Sequence, residues 1–163
     1  MAHHTLRELF VDQLRDIYDA EHRITKALPK MAKSATSNEL RMAFEEHLTQ
    51  TEQHIRRLEQ VLESLDESRK RTTCRAAVGL IEEGEELMEG HSDHVLDAAL
   101  VAAAQKIEHY EMATYGCLRT WAQLLGDDEA SRLLQETLDE EGETDHRLTA
   151  IAESLNADAL NAA

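Results

Sequence analysis

Acidic residues interrupt the apolar stripes of this chain. Four long stretches carry apolar residues at alternating spacings of four and three, and in the middle of each the stripe turns polar. The first reads Phe10, Leu14, Ile17, Glu21, Ile24, Leu28, and the second Leu40, Phe44, His47, Thr51, His54, Leu58, Val61, Leu65. The third reads Val101, Ala104, Glu108, Glu111, Tyr115, Leu118, Ala122, Leu125, and the fourth Leu134, Leu138, Glu141, Asp145, Leu148, Ala152, Leu155. Such spacing sets each group on one face of a helix. Packed together, the four faces bury Glu21, Glu108, Glu111, Glu141, Asp145 and at least one histidine in one central layer. No Lys or Arg lies on any stripe. Buried carboxylates without a cation are costly, so the missing cation is expected to be metal.

Glu108 and Glu111 are three apart and Glu141 and Asp145 four apart, so each pair shares a helix face. Carboxylates can bridge two metals while imidazole caps one, which is how bundle cores hold di-iron or di-manganese pairs. Two divalent ions are therefore expected, and the spacing leaves iron, manganese and zinc all open. His54 is the expected nitrogen ligand. His47 lies two turns away, about 10 Å along the axis, and reads as a histidine that supports the site or simply fills the core. Thr51 is placed to hydrogen-bond a ligand. Tyr18 and Tyr115, one turn from Glu21 and Glu111, can donate to a carboxylate or act as redox neighbours, with core packing the commoner role. Two bland alternatives stand beside these: a hydrated acidic pocket sharing protons, or a stripe rotated so that some acids face water. Asp145 is the most exposed to the second, with Glu140 and Glu143 close by. His22 and His109 fall off the stripes, His3 and His4 read as a terminal accident, and nothing demands metal at His91 and His94.

The elements that must position these residues are four helices, at about 5–34, 38–65, 93–125 and 128–155, joined by a crossover at 66–92. Thr5 is a candidate N-cap, Pro29 is expected to kink or weaken the last turn of the first helix, and Gly126 followed by Asp127 gives a stop and a cap. Within the crossover a weaker helical pattern from Ala76 to Glu89 is broken by Gly79 and Gly84, and Gly90 to Ser92 ends it. The tail from Asn156 is expected to fray. Short links make each hairpin antiparallel, and the crossover is long enough to return along a bundle roughly 45 Å tall at about 1.5 Å per residue. The fold class is thus all-α, a ferritin-like four-helix bundle whose crossover contains a short fifth helix. Counted from the hairpin turns, Glu21, Thr51, Glu108, Glu111, Glu141 and Asp145 fall within a band of about 8 Å. Short echoes ninety residues apart, Arg57 to Leu65 against Arg147 to Leu155, suggest a duplicated hairpin.

Composition agrees. The 163 residues form one domain with room for a core. One Pro, six Gly and 4% aromatics suit a helical protein filled by Ala and Leu. A net charge of −16 argues against nucleic acid or anionic membranes as partners. Cys74 and Cys117, without metal-like spacing, are expected to be free thiols in a reducing cytoplasm. No basic patch precedes an apolar run at the N-terminus, so no signal peptide is expected, and no apolar stretch is long enough to span a membrane.

Leu6 to Leu28, with Tyr18-Asp-Ala-Glu21 and Thr25-Lys-Ala-Leu-Pro-Lys-Met31, resembles the bacterial YciF-type family. So do Ala103-Ala-Gln-Lys-Ile-Glu-His-Tyr-Glu111 and Glu136-Thr-Leu-Asp-Glu-Glu141, and the resemblance covers nearly the whole chain. It implies a rubrerythrin-related bundle, often a homodimer, linked to stress responses, with a di-metal site on Glu21, His54, Glu108, Glu111 and Glu141. The wider ferritin-like pattern has Glu-x-x-His on the second helix of both hairpins. Here Thr51-x-x-His54 and Glu141-x-x-Thr144 stand instead, leaving one carboxylate and one imidazole to be found, with Asp145 a candidate replacement for one of them. The functions in play are redox chemistry on peroxide or oxygen, including ferroxidation, iron buffering without turnover, and a metal-stapled structural role.

Overall fold

The computed structural model describes residues 5–91 and 93–161. His3, His4, Ser92 and the last two residues of the tail lie outside the described residues. Five helices follow in order: α1 Leu6–Ser34, α2 Asn38–Ser64, α3 Arg75–Gly90, α4 Asp93–Leu124 and α5 Asp128–Asn161. The four long helices start and stop within a residue or two of the expected bounds, apart from the end of α5. Thr5 caps α1 in a reciprocal capping box with Glu8, and Ser37 caps α2 by accepting from the Leu40 amide. At the α4–α5 corner Gly126 takes a φ of +79°, and the Asp127 carboxylate accepts the Ala130 amide. Asp66 plays the part of a left-handed stop after α2, with a φ of +56°.

Helix α1 runs through Pro29 to Ser34 as expected, and Met31, Ala32 and Ala35 beyond the proline are buried. Two local expectations need correction. Helix α3 is unbroken by Gly79 and Gly84. A glycine costs about 1 kcal/mol in a helix, and α3 recovers this by packing on α1 and α4, where a Cβ on Gly84 would lie 3.6 Å from that of Ala103. Helix α5 runs on to Asn161, since the Ala- and Leu-containing tail holds no Gly or Pro to stop it.

The helices form two hairpins, α1 with α2 and α4 with α5, and α1 also packs on α4 and α2 on α5. The crossover runs along α1. The Thr72 amide donates to the Arg15 carbonyl, the Cys74 amide to Asp19, and Lys30 pairs with Glu85 near the far end of α3. It thereby returns the chain to the α1–α2 turn, where α4 starts. Asp97 fixes this junction. Buried near the N-terminus of α4, it accepts the Thr36 and Ser37 amides at 2.8 and 2.9 Å and the Thr36 hydroxyl. The sequence gives little notice of it beyond an acid in an Ala- and Leu-rich run.

The core divides in two. One apolar cluster contains Phe10, Leu14, Leu58, Leu118 and Leu134; the other contains Ile24, Leu28, Phe44, Leu100, Leu148 and Ile151. The polar layer lies between them, and this is the ferritin-like architecture expected from the stripes. Replacing Asp97 with Ala removes the buried acceptor of the Thr36 and Ser37 amides and of the Thr36 hydroxyl at the α1–α2 turn. The expected loss is about 2–4 kcal/mol of unfolding free energy in urea titration; a loss under about 0.5 kcal/mol would show that Asp97 does not hold the junction.

Candidate metal centre

Six side chains meet in the central layer. Glu21 comes from α1, His47 and His54 from α2, Glu108 and Glu111 from α4, and Glu141 from α5, and all six are at least 97% buried. Two groupings offer ligand atoms within 4.8 Å of one another: His47, Glu108, Glu111 and Glu141, and Glu21, His54 and Glu141. Glu141 belongs to both. One of its oxygens lies 3.1 Å from His54 Nδ1 and the other 3.8 Å from His47 Nε2.

These groups have few partners. His47 Nε2 is 3.2 Å from Glu108 Oε1, yet like the His54–Glu141 contact this approach is not aligned as a hydrogen bond. Among the described residues nine buried side-chain polar atoms lack a hydrogen bond, and eight belong to this cluster, including both oxygens of Glu111 and both of Glu141. Buried polar groups in folded proteins are otherwise almost always paired. The arrangement is an oxygen-rich set with two imidazoles, a donor chemistry suited to iron, manganese or zinc. By unpaired atoms and by donor type, the residues fit a metal pair.

Outer groups aim each imidazole. The His54 Nε2–H donates to Glu140 at 2.8 Å, and Arg57 holds Glu140 through two 2.7 Å bonds, which leaves Nδ1 facing Glu21 and Glu141. The Arg57 guanidinium, against the smaller opposing effect of burial, holds the Glu140 carboxyl down to about 2. His47 presents Nδ1 to Gln50 and Thr144 at 3.4 Å, turning Nε2 inward. Such partners orient metal-binding histidines and tune their basicity. Tyr115 donates a short hydrogen bond to Glu21, and burial with the Glu21 charge raises its phenol well above the usual value.

The outcome for the expected residues is mixed. Glu21, His54, Glu108, Glu111 and Glu141 converge, and Tyr115 donates to a carboxylate as allowed. Asp145 does not join them: it is partly exposed and lies 3.2 Å from His109 Nε2 and from Gln105 Nε2. It sits one turn beyond Glu141, where the stripe has rotated toward the rim of the bundle. His47 belongs to the cluster. The two-turn separation was measured along the axis, whereas the two side chains lean toward each other and their ring centres are 6.3 Å apart. Thus the second imidazole comes from α2 itself. Thr51 is buried but spends its hydroxyl on the His47 carbonyl at 2.8 Å. Tyr18 turns away from the layer and donates to Glu59 at 2.8 Å. Glu140, Arg57, Gln50 and Thr144 were missed as supporting residues; a carboxylate beside a ligand and an Arg one turn from a histidine were the available signals. Both cysteines are free, Cys74 buried and Cys117 exposed.

Burial, with the charges of Glu141 and Glu21 added to it, raises the carboxyls of Glu108 and Glu111 well above their ordinary 4.5. Burial lowers His54, but Glu21, Glu140 and Glu141 outweigh it and push the imidazole up to about 12. Glu141 is lowered because the histidines beside it outweigh the effect of burial. Without metal, these upward shifts favour the protonated forms of Glu108, Glu111 and His54.

The comparisons with known proteins agree with this picture. Residues 5–161 match the family described as "Domain of unknown function (DUF892)". The chain is 46% identical to Protein YciF of Escherichia coli K12 over 162 residues, 98% of each chain. It superposes on the crystal structure of the E. coli stress protein YciF with a TM-score of 0.92, at 44% identity, covering 95% of this chain and 99% of that one. YcfI of Rhodopseudomonas palustris, described as a candidate structural protein, aligns with a TM-score of 0.86 at 44% identity, covering 89% of this chain and 93% of that one. Among the described residues no helix is long and apolar enough to cross a membrane.

Groups with raised folded-state values stabilise the fold fully at low pH and lose that stabilisation as pH rises. For Glu108 and Glu111 the loss starts above 4.5 and for His54 above 6.5. The metal-free protein should therefore lose melting temperature as pH rises, whereas a form in which cations replaced those protons should not. Calorimetry of both forms across this range should show a widening gap; a constant gap would contradict proton–metal exchange at these residues.

Proposed function

The chain belongs to the DUF892 family, and we propose that it binds two divalent ions, iron first, at this layer and uses them for redox chemistry on a small oxidant in stress defence. The observation behind this is the set of eight unpaired buried ligand atoms, gathered into two groupings whose ligand atoms lie within 4.8 Å of one another. Glu21, His54 and Glu141 would hold one ion, and His47, Glu108, Glu111 and Glu141 the other. Glu141 offers one oxygen to each side. Bound iron supplies one-electron redox capacity toward peroxide or oxygen.

The protein's own residues prepare that chemistry. Buried apolar clusters above and below the layer restrict water to it. The Glu140–Arg57 pair keeps His54 aimed inward, and Gln50 with Thr144 does so for His47. The Tyr115 hydroxyl holds a proton at Glu21 and can return it when that carboxylate changes its partners. Manganese or zinc would satisfy the same donors without changing these roles. The description of E. coli YciF as a stress protein supports the physiological setting, and a homodimer is the assembly expected from the family resemblance.

A structural role is the second reading. The like charges of Glu21, Glu108, Glu111 and Glu141 would make metal a staple across the four helices, and the description of the R. palustris relative points the same way. Elemental analysis of protein purified without a His tag or chelator should give two ions per chain. Glu108→Ala should remove at least one of them, and peroxide loss by the iron-loaded protein should fall about a hundredfold or more in that variant. Full metal content in Glu108→Ala would show the ligand set to be wrong. Metal binding and a raised melting temperature with no peroxide or oxygen consumption would favour the staple.

A further inference from the structure

A cleft between α2 and α5 opens onto one side of the layer. Its volume is about 800 Å³, and His47 and Glu108 line it along with Phe44 and Met112. Both cluster residues are buried, and His47 Nε2 and Glu108 Oε2 have no hydrogen-bond partner. Three other cavities among the described residues contain none of the six cluster residues. Glu46, Asp139 and Glu143 stand at the cleft with His146 and Arg147. Arg147 is engaged by Glu46, so Asp139 and Glu143, both exposed, set a local negative field. Gly142 lies between the ligand Glu141 and this rim, and a Cβ built on it meets nothing within 4 Å.

Resting on the metal-centre reading above, we propose that this cleft is the route by which divalent cations reach the layer, with Asp139 and Glu143 drawing them in and His47 and Glu108 as the first inward ligands. The acidic rim favours a hydrated cation over an anion. A path of this kind is needed because all six ligands are at least 97% buried and apolar clusters flank the layer. Glycine at position 142 keeps the wall open, since any larger side chain there would project into the cleft rather than into packed protein.

The test uses the full chain, stripped of metal, and Co²⁺ as the probe, with uptake followed by its visible absorption in stopped flow. Gly142→Trp should slow uptake by about tenfold or more while leaving the final stoichiometry unchanged. Gly116→Trp, which meets nothing within 4 Å and lies outside this cleft, should leave the rate unchanged. Asp139→Lys with Glu143→Lys should slow uptake about tenfold at low salt, with the difference shrinking at high salt. Circular dichroism checks that each variant folds, and the surface double variant serves if Gly142→Trp does not. Full loading at the unaltered rate in both cleft variants would overturn the route. Absence of Co²⁺ binding in the unsubstituted protein would instead overturn the metal centre itself.

Discussion

The structure depends on how negative charge is neutralised in the middle of its core. Four carboxylates and two imidazoles from four helices occupy one buried layer, and no Lys or Arg forms an ion pair with Glu21, Glu108, Glu111 or Glu141 among the described contacts. Arg57 is the nearest arginine to engage the site, and it is committed to Glu140 and Glu136. Solvation lost by buried carboxylates must be replaced by protons or by metal. Protons on Glu108, Glu111 and His54 can supply part of this through bonds to Glu21 and Glu141. Bound cations would neutralise the charge and engage the unpaired ligand atoms together.

The topology follows from the need to deliver these groups to one height. Two hairpins supply an inward-facing stripe on each helix, and the crossover with α3 returns the chain along α1 so that α4 begins at the α1–α2 turn. Asp97 locks that junction to Thr36 and Ser37. A slip of α4 along the bundle by one turn, about 5.4 Å, would carry Glu108 and Glu111 out of reach of His47 and Glu141. The apolar clusters on either side hold the register, and reciprocal pairs tie α2 to α5: Arg57 reaches Glu140, and Arg147 reaches Glu46.

Much of this was legible in the sequence. The stripes located four helices and all six cluster residues, five of them as expected ligands, because helical periodicity records which face is buried. The aligned heights of Glu21, Glu108 and Glu141 survive in three dimensions for the same reason. What the stripe does not record is side-chain direction. His47 was set aside on axial distance, although an imidazole on a long arm can lean most of a turn. Asp145 was included on spacing, although a straight stripe drifts around a helix and carries its last polar position to the rim. The supporting residues lie off the stripes: Glu140, Arg57, Gln50 and Thr144 act across the α2–α5 contact, which no single-helix pattern encodes. The glycines of α3 read as breaks by local propensity, and tertiary packing overrides it.

Occupancy of the layer is what joins fold to function in this account. Anomalous diffraction from crystals of the iron-loaded protein, collected across the iron edge, measures it most directly. Two peaks on either side of Glu141 are predicted, one beside Glu21 and His54 and the other beside His47, Glu108 and Glu111. An ordered layer with no anomalous signal, or iron found only at surface acids such as Glu82 and Glu83, would contradict the account.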